Sequence, residues 1–327
     1  MTKKIIVNGK ENIPKKGAVL FMVNHPNGLI DPLIVTTNNP RTNYFLTRAA
    51  SFKKPLVRWF LNSLNLIPIY RMRDGVNQLN KNKGVFEKCF NLLDSHKALM
   101  IFPEGSHDKR RTVRNLSKGF SRIVFGAIER NPKLQIQIIP VGISYQDPSS
   151  YPFKVSLNYG TPILANDFYK TNFNHSDIKK IKDVISDQLK VLSVHIPLTE
   201  DYEKWIEKLN SANVDFTKVD EVNSMIQSNT IIKKERKINL VRFLRPVVLL
   251  NNLIPWLLWK YVKNKVTEFE FISTFKFGVS SLTVIPFFLL NTYIIYNLFT
   301  LKSTIIYFGC SILILLIYSK FHSTPAR

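Results

Sequence analysis

The sequence predicts an α/β unit, a mixed β-sheet flanked by helices, followed by a C-terminal membrane helical region. Over residues 1 to about 165, short runs rich in β-branched and aromatic residues alternate with stretches of helical periodicity, the pattern of a sheet covered on both faces. Hydrophobic residues make up 45% and charged residues 21%, which supports a folded core and excludes disorder as the main state. Near the C-terminus two adjacent stretches, 277–301 and 303–319, carry no charged residue.

The strands expected are Ala18 to Val23, Tyr44 to Thr47, Leu66 to Tyr70, Ala98 to Phe102 and Ile136 to Ser144. Lys154 to Tyr159 adds a late strand, placed at an edge. Between them Pro55 to Asn62, Val76 to Asp94 and Ser117 to Arg130 are expected as helices, with Val85, Phe86, Cys89, Phe90 and Leu93 at helical spacing. An amphipathic helix from His175 to Val194 closes the unit, and 200 to 240 is expected to be polar and helical or linker-like. The boundaries fall near 200 and 275, giving a first domain at 1–200, a helical linker with an interfacial segment at 201–275, and a hairpin at 276–327.

Spanning a bilayer takes roughly 20 apolar residues, with about 17 a practical minimum. Both uncharged stretches meet this, separated by Lys302 alone, so they predict a tight transmembrane hairpin. Lys276 before it and Lys320 and Arg327 after it place both ends on the cytoplasmic side. Pro246 to Trp259 is shorter and interrupted by Pro255. With Arg242, Arg245, Lys260 and Lys263 on its flanks and Trp256, Trp259 and Tyr261 within or beside it, it is expected to lie in the membrane surface or to dip in and return.

The charge balance is 46 Lys plus Arg against 23 Asp plus Glu, a net +23, which favours anionic partners: nucleic acid, anionic lipid or phosphorylated substrate. Cys89 and Cys310 are far apart and lack metal-like spacing, so neither a disulfide scaffold nor a cysteine-based zinc site is expected. The start, Met1-Thr-Lys-Lys-Ile-Ile, has no apolar core of a signal peptide, and the expected address is the cytoplasmic face of a membrane.

Four stretches carry chemistry. In Val23-Asn24-His25-Pro26-Asn27-Gly28-Leu29-Ile30-Asp31-Pro32 a strand runs into a loop and Asp31-Pro32 opens a helix, with Asp31 as its expected cap. A histidine at a strand end with a carboxylate returned near it suits a base and its orienting partner, with no protein nucleophile needed if an acceptor hydroxyl attacks directly. In Ile67-Pro68-Ile69-Tyr70-Arg71-Met72-Arg73, strand alternation would put Arg71 and Arg73 on one side as a phosphate clamp. In Phe102-Pro103-Glu104-Gly105 an apolar strand delivers Glu104 into a glycine turn, where it could accept from hydroxyls. Lys109, Arg110, Arg111 and Arg114 follow it and fit phosphates or headgroups. The fourth stretch, Ile139-Pro140-Val141-Gly142-Ile143-Ser144, is a strand with a proline near its start.

In this order and spacing the four stretches resemble the motifs of the glycerolipid (lysophosphatidate-type) acyltransferase family, over roughly residues 15 to 165. The resemblance implies an acyltransferase domain at 1–200 with His25 as base, Asp31 as its partner, and Arg71 as phosphate anchor assisted by Arg73. It also implies acceptor contacts from Glu104 and Gly105, a place for Pro140 near the substrate path, and Asn24 and Gly28 as supporting loop residues, Asn24 counted with the substrate-binding set. One departure is that five residues, Pro26 to Ile30, separate His from Asp, where the family usually has four. This resembles a variant branch that also includes acyltransferases acting on glycerol 3-phosphate or dihydroxyacetone phosphate.

The expectation is therefore acyl transfer from acyl-CoA or acyl carrier protein to the hydroxyl of 1-acylglycerol 3-phosphate (lysophosphatidate), giving phosphatidic acid, with membrane lipids as partners and no metal or resident cofactor. The nearest rival is the same chemistry on glycerol 3-phosphate or another lyso-lipid. A rival of another class is a non-enzymatic basic binder of membranes or nucleic acid, in which Trp59 and Phe60 beside Lys53, Lys54 and Arg58 could stack bases. The basic residues are spread along the chain and no nucleic-acid motif is present, so nucleic acid is not expected as a partner.

Overall fold

The computed structural model describes residues 3–71, 80–171, 175–233, 235, 239–324 and 326. In chain order the strands are β1 (Lys4–Asn8), β2 (Ala18–Val23), β3 (Asn43–Arg48), β4 (Leu66–Ile69), β5 (Ala98–Ile101), β6 (Ile136–Tyr145), β7 (Lys154–Tyr159) and β8 (Ile163–Leu164). The helices of the sheet unit are α1 (Ile30–Thr37), α2 (Pro55–Ser63), α3 (Asn82–Asp94), α4 (Gly119–Arg130) and α5 (His175–Leu192). They are followed by α6 (Tyr202–Ser211), α7 (Val219–Gln227), α8 (Arg245–Asn251), α9 (Leu253–Lys263), α10 (Ile272–Leu298) and α11 (Leu301–Phe321).

The strands form one mixed sheet in the order β1-β7-β6-β2-β5-β3-β4, with β8 also paired to β6. From β6 to β4 neighbouring strands are parallel, while β7 runs antiparallel to β6. The C-terminal ends of β2, β5, β3 and β4 therefore emerge along a single rim, the place where open parallel sheets carry their sites.

Two strands escaped the sequence analysis. Lys4–Asn8 is short and its parallel partner, beginning at Lys154, is remote in the chain, so no local turn signals the pairing. Its presence moves β7 inward, correcting the expected edge position. The two-residue β8 is below what periodicity detects. The helix expected over Val76 to Asp94 is observed as Asn82–Asp94, and 76–79 lie outside the described residues.

Strand alternation divides the core. Leu20, Met22 and Leu99 pack with Cys89 of α3, Val124 of α4 and Ile185 of α5. Val19, Phe21, Val23 and Val141 face the other way, onto Ile30, Ile34 and Val35 of α1. Pro140 tolerates a central strand because its missing N–H faces a break. Its carbonyl, on the same side, accepts from Gly160 N at 2.8 Å in the gap between β7 and β8. At Gly142 an added Cβ would lie 2.1 Å from the Leu192 carbonyl oxygen, so the end of α5 rests directly on the β6 backbone.

Helices α6 and α7 bury Leu209, Val214, Phe216 and Val222 in a small cluster of their own. Gln146 fastens this cluster to the sheet: its Nε2 donates to Val214 O and its Oε1 accepts from Phe216 N, both at 2.9 Å.

The 27-residue α10 and 21-residue α11 are long and apolar enough to cross a membrane. At 1.5 Å per residue they extend about 40 and 31 Å, against about 30 Å of hydrocarbon. The turn between them is Phe299–Thr300, and Lys302 lies inside the first turn of α11, not between the helices as expected. Both ends of the hairpin reach the sheet unit. Ser273 meets Asn27, and Lys3 donates from Nζ to His322 O and, at 2.9 Å, to Thr324 Oγ1.

The preceding apolar segment, Leu240–Lys263, bends by 90°. The break is at Asn252, and Pro255 instead sits in the first turn of α9, where its missing N–H costs nothing. Beside this corner Tyr307 donates to Asn251 Oδ1 at 2.8 Å, and Asn251 Nδ2 lies 3.4 Å from Ser311 Oγ. Ser311 is at the middle of α11, so the corner reaches half-way along the hairpin.

Candidate active site

His25 stands two residues past the end of β2, in a loop that Asn24 fixes to the neighbouring strand. Asn24 Nδ2 donates to Ile143 O at 3.0 Å and Asn24 Oδ1 accepts from Ile143 N at 2.7 Å. Its amide is turned to β6, where both bonds hold the loop.

The loop returns through Asn27 and Gly28 into α1. The helix begins at Ile30, so Asp31 is not its cap as expected but lies buried in its first turn, where the helix dipole favours an anion. His25 Nδ1 is 2.8 Å from Asp31 Oδ2. The same oxygen accepts from Asn27 N at 2.8 Å, and Oδ1 accepts from the Tyr145 hydroxyl at 2.7 Å. A carboxylate at Nδ1 places the proton there and leaves Nε2 with its lone pair, the form of a general base. The Phe102 ring stacks on the imidazole at 3.9 Å between centroids, which restricts its rotation.

Burial lowers the His25 pKa from its ordinary 6.5; Asp31 opposes this, and His107 and Arg114 add to it. Burial raises that of Asp31, against the bonds from His25, Tyr145 and Asn27. Both shifts favour neutral pairs over isolated buried charges.

Glu104 follows β5 at the same rim, but its carboxylate is not open to an acceptor hydroxyl. It is buried and paired with Arg114, whose Nε and Nη2 donate to Oε2 at 3.0 and 2.8 Å. Arg114 continues to Ser106 Oγ at 2.8 Å and to Ser106 O, so the pair holds the turn after β5 in shape. Gly105 takes φ +75°, which a side chain would strain, and its N–H donates to Phe102 O at 3.1 Å. Asp108 N donates to His25 O at 2.9 Å, tying this turn to the histidine loop.

The basic residues that follow Glu104 also have partners within the protein. Arg110 pairs with Asp108, and Lys109 lies 4.2 Å from the centre of the Phe269 ring. Arg111 is buried against the Tyr145 and Gln146 carbonyls and the Phe216 ring.

Arg71 emerges from the rim two residues after β4 ends at Ile69, so the strand alternation expected to pair it with Arg73 does not reach it. Arg73 lies outside the described residues. In sheet order β4 is three strands from β2, about 14 Å at 4.8 Å per strand. Pro140 is buried opposite Met22, on the sheet face away from Val141 and Ile143.

The site has a lid that sequence analysis missed. Asn27 Nδ2 donates to Pro148 O at 2.7 Å and to Ser273 Oγ at 2.5 Å, at the start of α10. His107, whose ring centre is 5.8 Å from that of His25, meets Glu268 with Nε2 2.8 Å from Oε2. Phe271 packs against His107 and lies so close to Gly28 that an added Cβ would be 2.7 Å from its ring. No group of three or more His, Cys, Asp or Glu able to hold a metal occurs among the described residues.

Parts of the chain are similar to known proteins. A family model described as Acyltransferase matches residues 4–144. Glycerol-3-phosphate O-acyltransferase 1 of Saccharomyces cerevisiae is 26% identical over 124 residues, 36% of this chain and 16% of that protein. The 1-acyl-sn-glycerol-3-phosphate acyltransferase of Borreliella burgdorferi is 29% identical over 163 residues, 50% of this chain and 60% of that protein. In both cases the match spans less than two thirds of the relative. The crystal structure of the 1-acyl-sn-glycerophosphate (LPA) acyltransferase PlsC from Thermotoga maritima superposes with a TM-score of 0.40 and 18% identity, over 57% of this chain and 71% of that one.

Proposed function

From the match of residues 4–144 to the acyltransferase family model, we propose that the chain transfers a fatty acyl group from an acyl thioester to the hydroxyl of 1-acylglycerol 3-phosphate, forming phosphatidic acid at a membrane. The observation that carries the chemistry is the 2.8 Å pairing of His25 Nδ1 with Asp31, which leaves Nε2 as a base.

The acceptor hydroxyl attacks the thioester carbonyl carbon while His25 Nε2 takes its proton. The new C–O bond forms, the tetrahedral intermediate collapses, and the C–S bond breaks. The imidazolium then returns the proton to the departing thiolate, so His25 ends neutral and no acyl-enzyme is formed. Asp31 stabilises the imidazolium without becoming protonated, as in other carboxylate–histidine pairs. Arg71 is proposed as the phosphate anchor. Its side chain and the length of a glycerol phosphate together suit the three-strand distance between β4 and the base.

The acceptor rests on the bacterial relative's name and on two helices able to place the site at a bilayer. The yeast relative's name, with the five-residue spacer between His25 and Asp31, supports a second reading in which glycerol 3-phosphate is the acceptor. The test is purified protein in detergent with a labelled acyl thioester and each acceptor in turn, wild type beside His25→Ala. Label in phosphatidate with wild type only, and from lysophosphatidate only, supports the first reading. Label entering lysophosphatidate from glycerol 3-phosphate supports the second. Substantial turnover by His25→Ala would sink the mechanism for both.

A further inference from the structure

Helix α2 leaves most of its apolar residues exposed. As the connection between parallel strands β3 and β4 it would normally lay an apolar face on the sheet, yet none of its residues is buried. Leu56 is 77% exposed, Trp59 69% and Phe60 53%, with Val57 and Leu64 exposed beside them. Leu56, Phe60 and Leu64 recur at i, i+4 and i+8 on one outward stripe. Toward the protein the helix half-buries only Leu61, and Arg58 Nε donates to Phe52 O at 3.2 Å. Such a contiguous apolar face needs a partner outside the sheet unit.

Two observations identify the partner's chemistry. Lys53 and Lys54 stand exposed at the start of the helix, and the whole chain carries +23, so the partner presents negative charge beside an apolar interior. The face also continues an existing boundary. α2 leaves β3 at the rim where α10 meets Asn27, and in sheet order β3 is only two strands from β2, about 10 Å. Leu29, just before α1, and Leu33 within it are exposed near the same rim.

We propose that α2 is an interfacial anchor, its Leu56–Trp59–Phe60 face inserted into an anionic bilayer that Lys53 and Lys54 contact at the headgroups. The proposal rests on the reading of α10 and α11 as membrane spans, and extends it: the bilayer meets the molecule along the active-site rim as well as through the hairpin. The rim around Arg71 then opens at headgroup level, where a phosphorylated lipid presents its hydroxyl.

The test uses the full chain, both native cysteines replaced by alanine, in vesicles of phosphatidylcholine and phosphatidylglycerol. A nitroxide is attached at Leu56→Cys, at Leu289→Cys in α10, or at Lys204→Cys on exposed α6. Collision rates with oxygen and with a water-soluble nickel chelate report depth. The expected result is oxygen contact at 56 and 289 and nickel contact at 204. Nickel contact at 56 with oxygen contact at 289 overturns the anchor and leaves the spans standing; nickel contact at both overturns the spans as well. Lys53→Glu/Lys54→Glu should lower activity in these vesicles roughly tenfold and leave detergent activity unchanged; unchanged vesicle activity removes the headgroup contact. Salt-sensitive retention of a short single-stranded RNA, lost in Trp59→Ala while position 56 stays aqueous, would overturn the anchor and assign the face to nucleic acid instead.

Discussion

Tyr145 and Asp31, 114 residues apart in the chain, meet at 2.7 Å, the hydroxyl of the strand-end tyrosine donating to the carboxylate that holds the base. Asp31 is thereby oriented from both sides, by Asn27 N and His25 on one oxygen and by Tyr145 on the other. Tyr145→Phe removes one hydrogen bond to a buried carboxylate, a loss of about 1.5–3 kcal/mol. We expect kcat to fall by about ten- to a hundredfold with KM for the acceptor little changed. A purely structural tyrosine would lower the amount of folded protein and spare kcat, so steady-state kinetics on folded Tyr145→Phe separates the two.

The pH profile follows from burial. His25 acts in its neutral form, and burial holds its pKa below the ordinary 6.5. Activity is therefore full above that value and lost as pH falls through the lowered pKa, so the acid limb of kcat/KM should lie below pH 6.5. Asp31→Asn removes the interaction that most opposes the lowering and permits the wrong tautomer. It should cost about a thousandfold in rate or more. An acid limb at or above 6.5 would contradict the buried environment described for the pair.

Arg114→Ala leaves the Glu104 carboxylate buried without its partner. Breaking such a pair costs about 3–5 kcal/mol, and the turn between Phe102 and Ser106 loses its brace. The variant should unfold at a lower temperature in detergent. Glu104→Gln with Arg114 intact should be milder, because the amide oxygen can still accept from the guanidinium. Equal destabilisation by the two would argue against the pairing as the source.

Gly28→Ala places a methyl group 2.7 Å from the Phe271 ring, displacing either the ring or the loop. Activity should fall several-fold, and Phe271→Leu in the same chain should recover much of it by making room. The double-mutant cycle is decisive: losses that simply add would mean the two residues act independently.

Much of the sheet was legible because its strands are apolar runs bounded by polar turns; Ala18–Val23 and Lys154–Tyr159 were expected with the bounds observed. The His25–Asp31 pair was legible for the same local reason, both residues lying in one loop. What escaped depends on the sheet's order of strands. Tyr145 reaches Asp31 only because β6 lies beside β2, which no local pattern announces. Glu104 looked free because its partner, Arg114, follows a turn whose path sequence does not specify, and the same turn hid the engagement of Lys109, Arg110 and Arg111. Asp31 seemed a helix cap because Asp-Pro is a strong start signal, but the tight turn at Asn27 and Gly28 lets the helix begin at Ile30.

The clamp on the histidine loop also sets an order of events in the life of each molecule. Asn27 is made well before Ser273, to which it is fastened and which follows 246 residues later, at the root of the helix proposed to enter the bilayer. A nascent chain can build its sheet and bring His25 to Asp31 before α10 is made, but the loop's cover arrives only with that helix. If α10 enters the bilayer as proposed, the loop is covered and the chain anchored in the same step, and a chain cut before α10 carries a base with no roof.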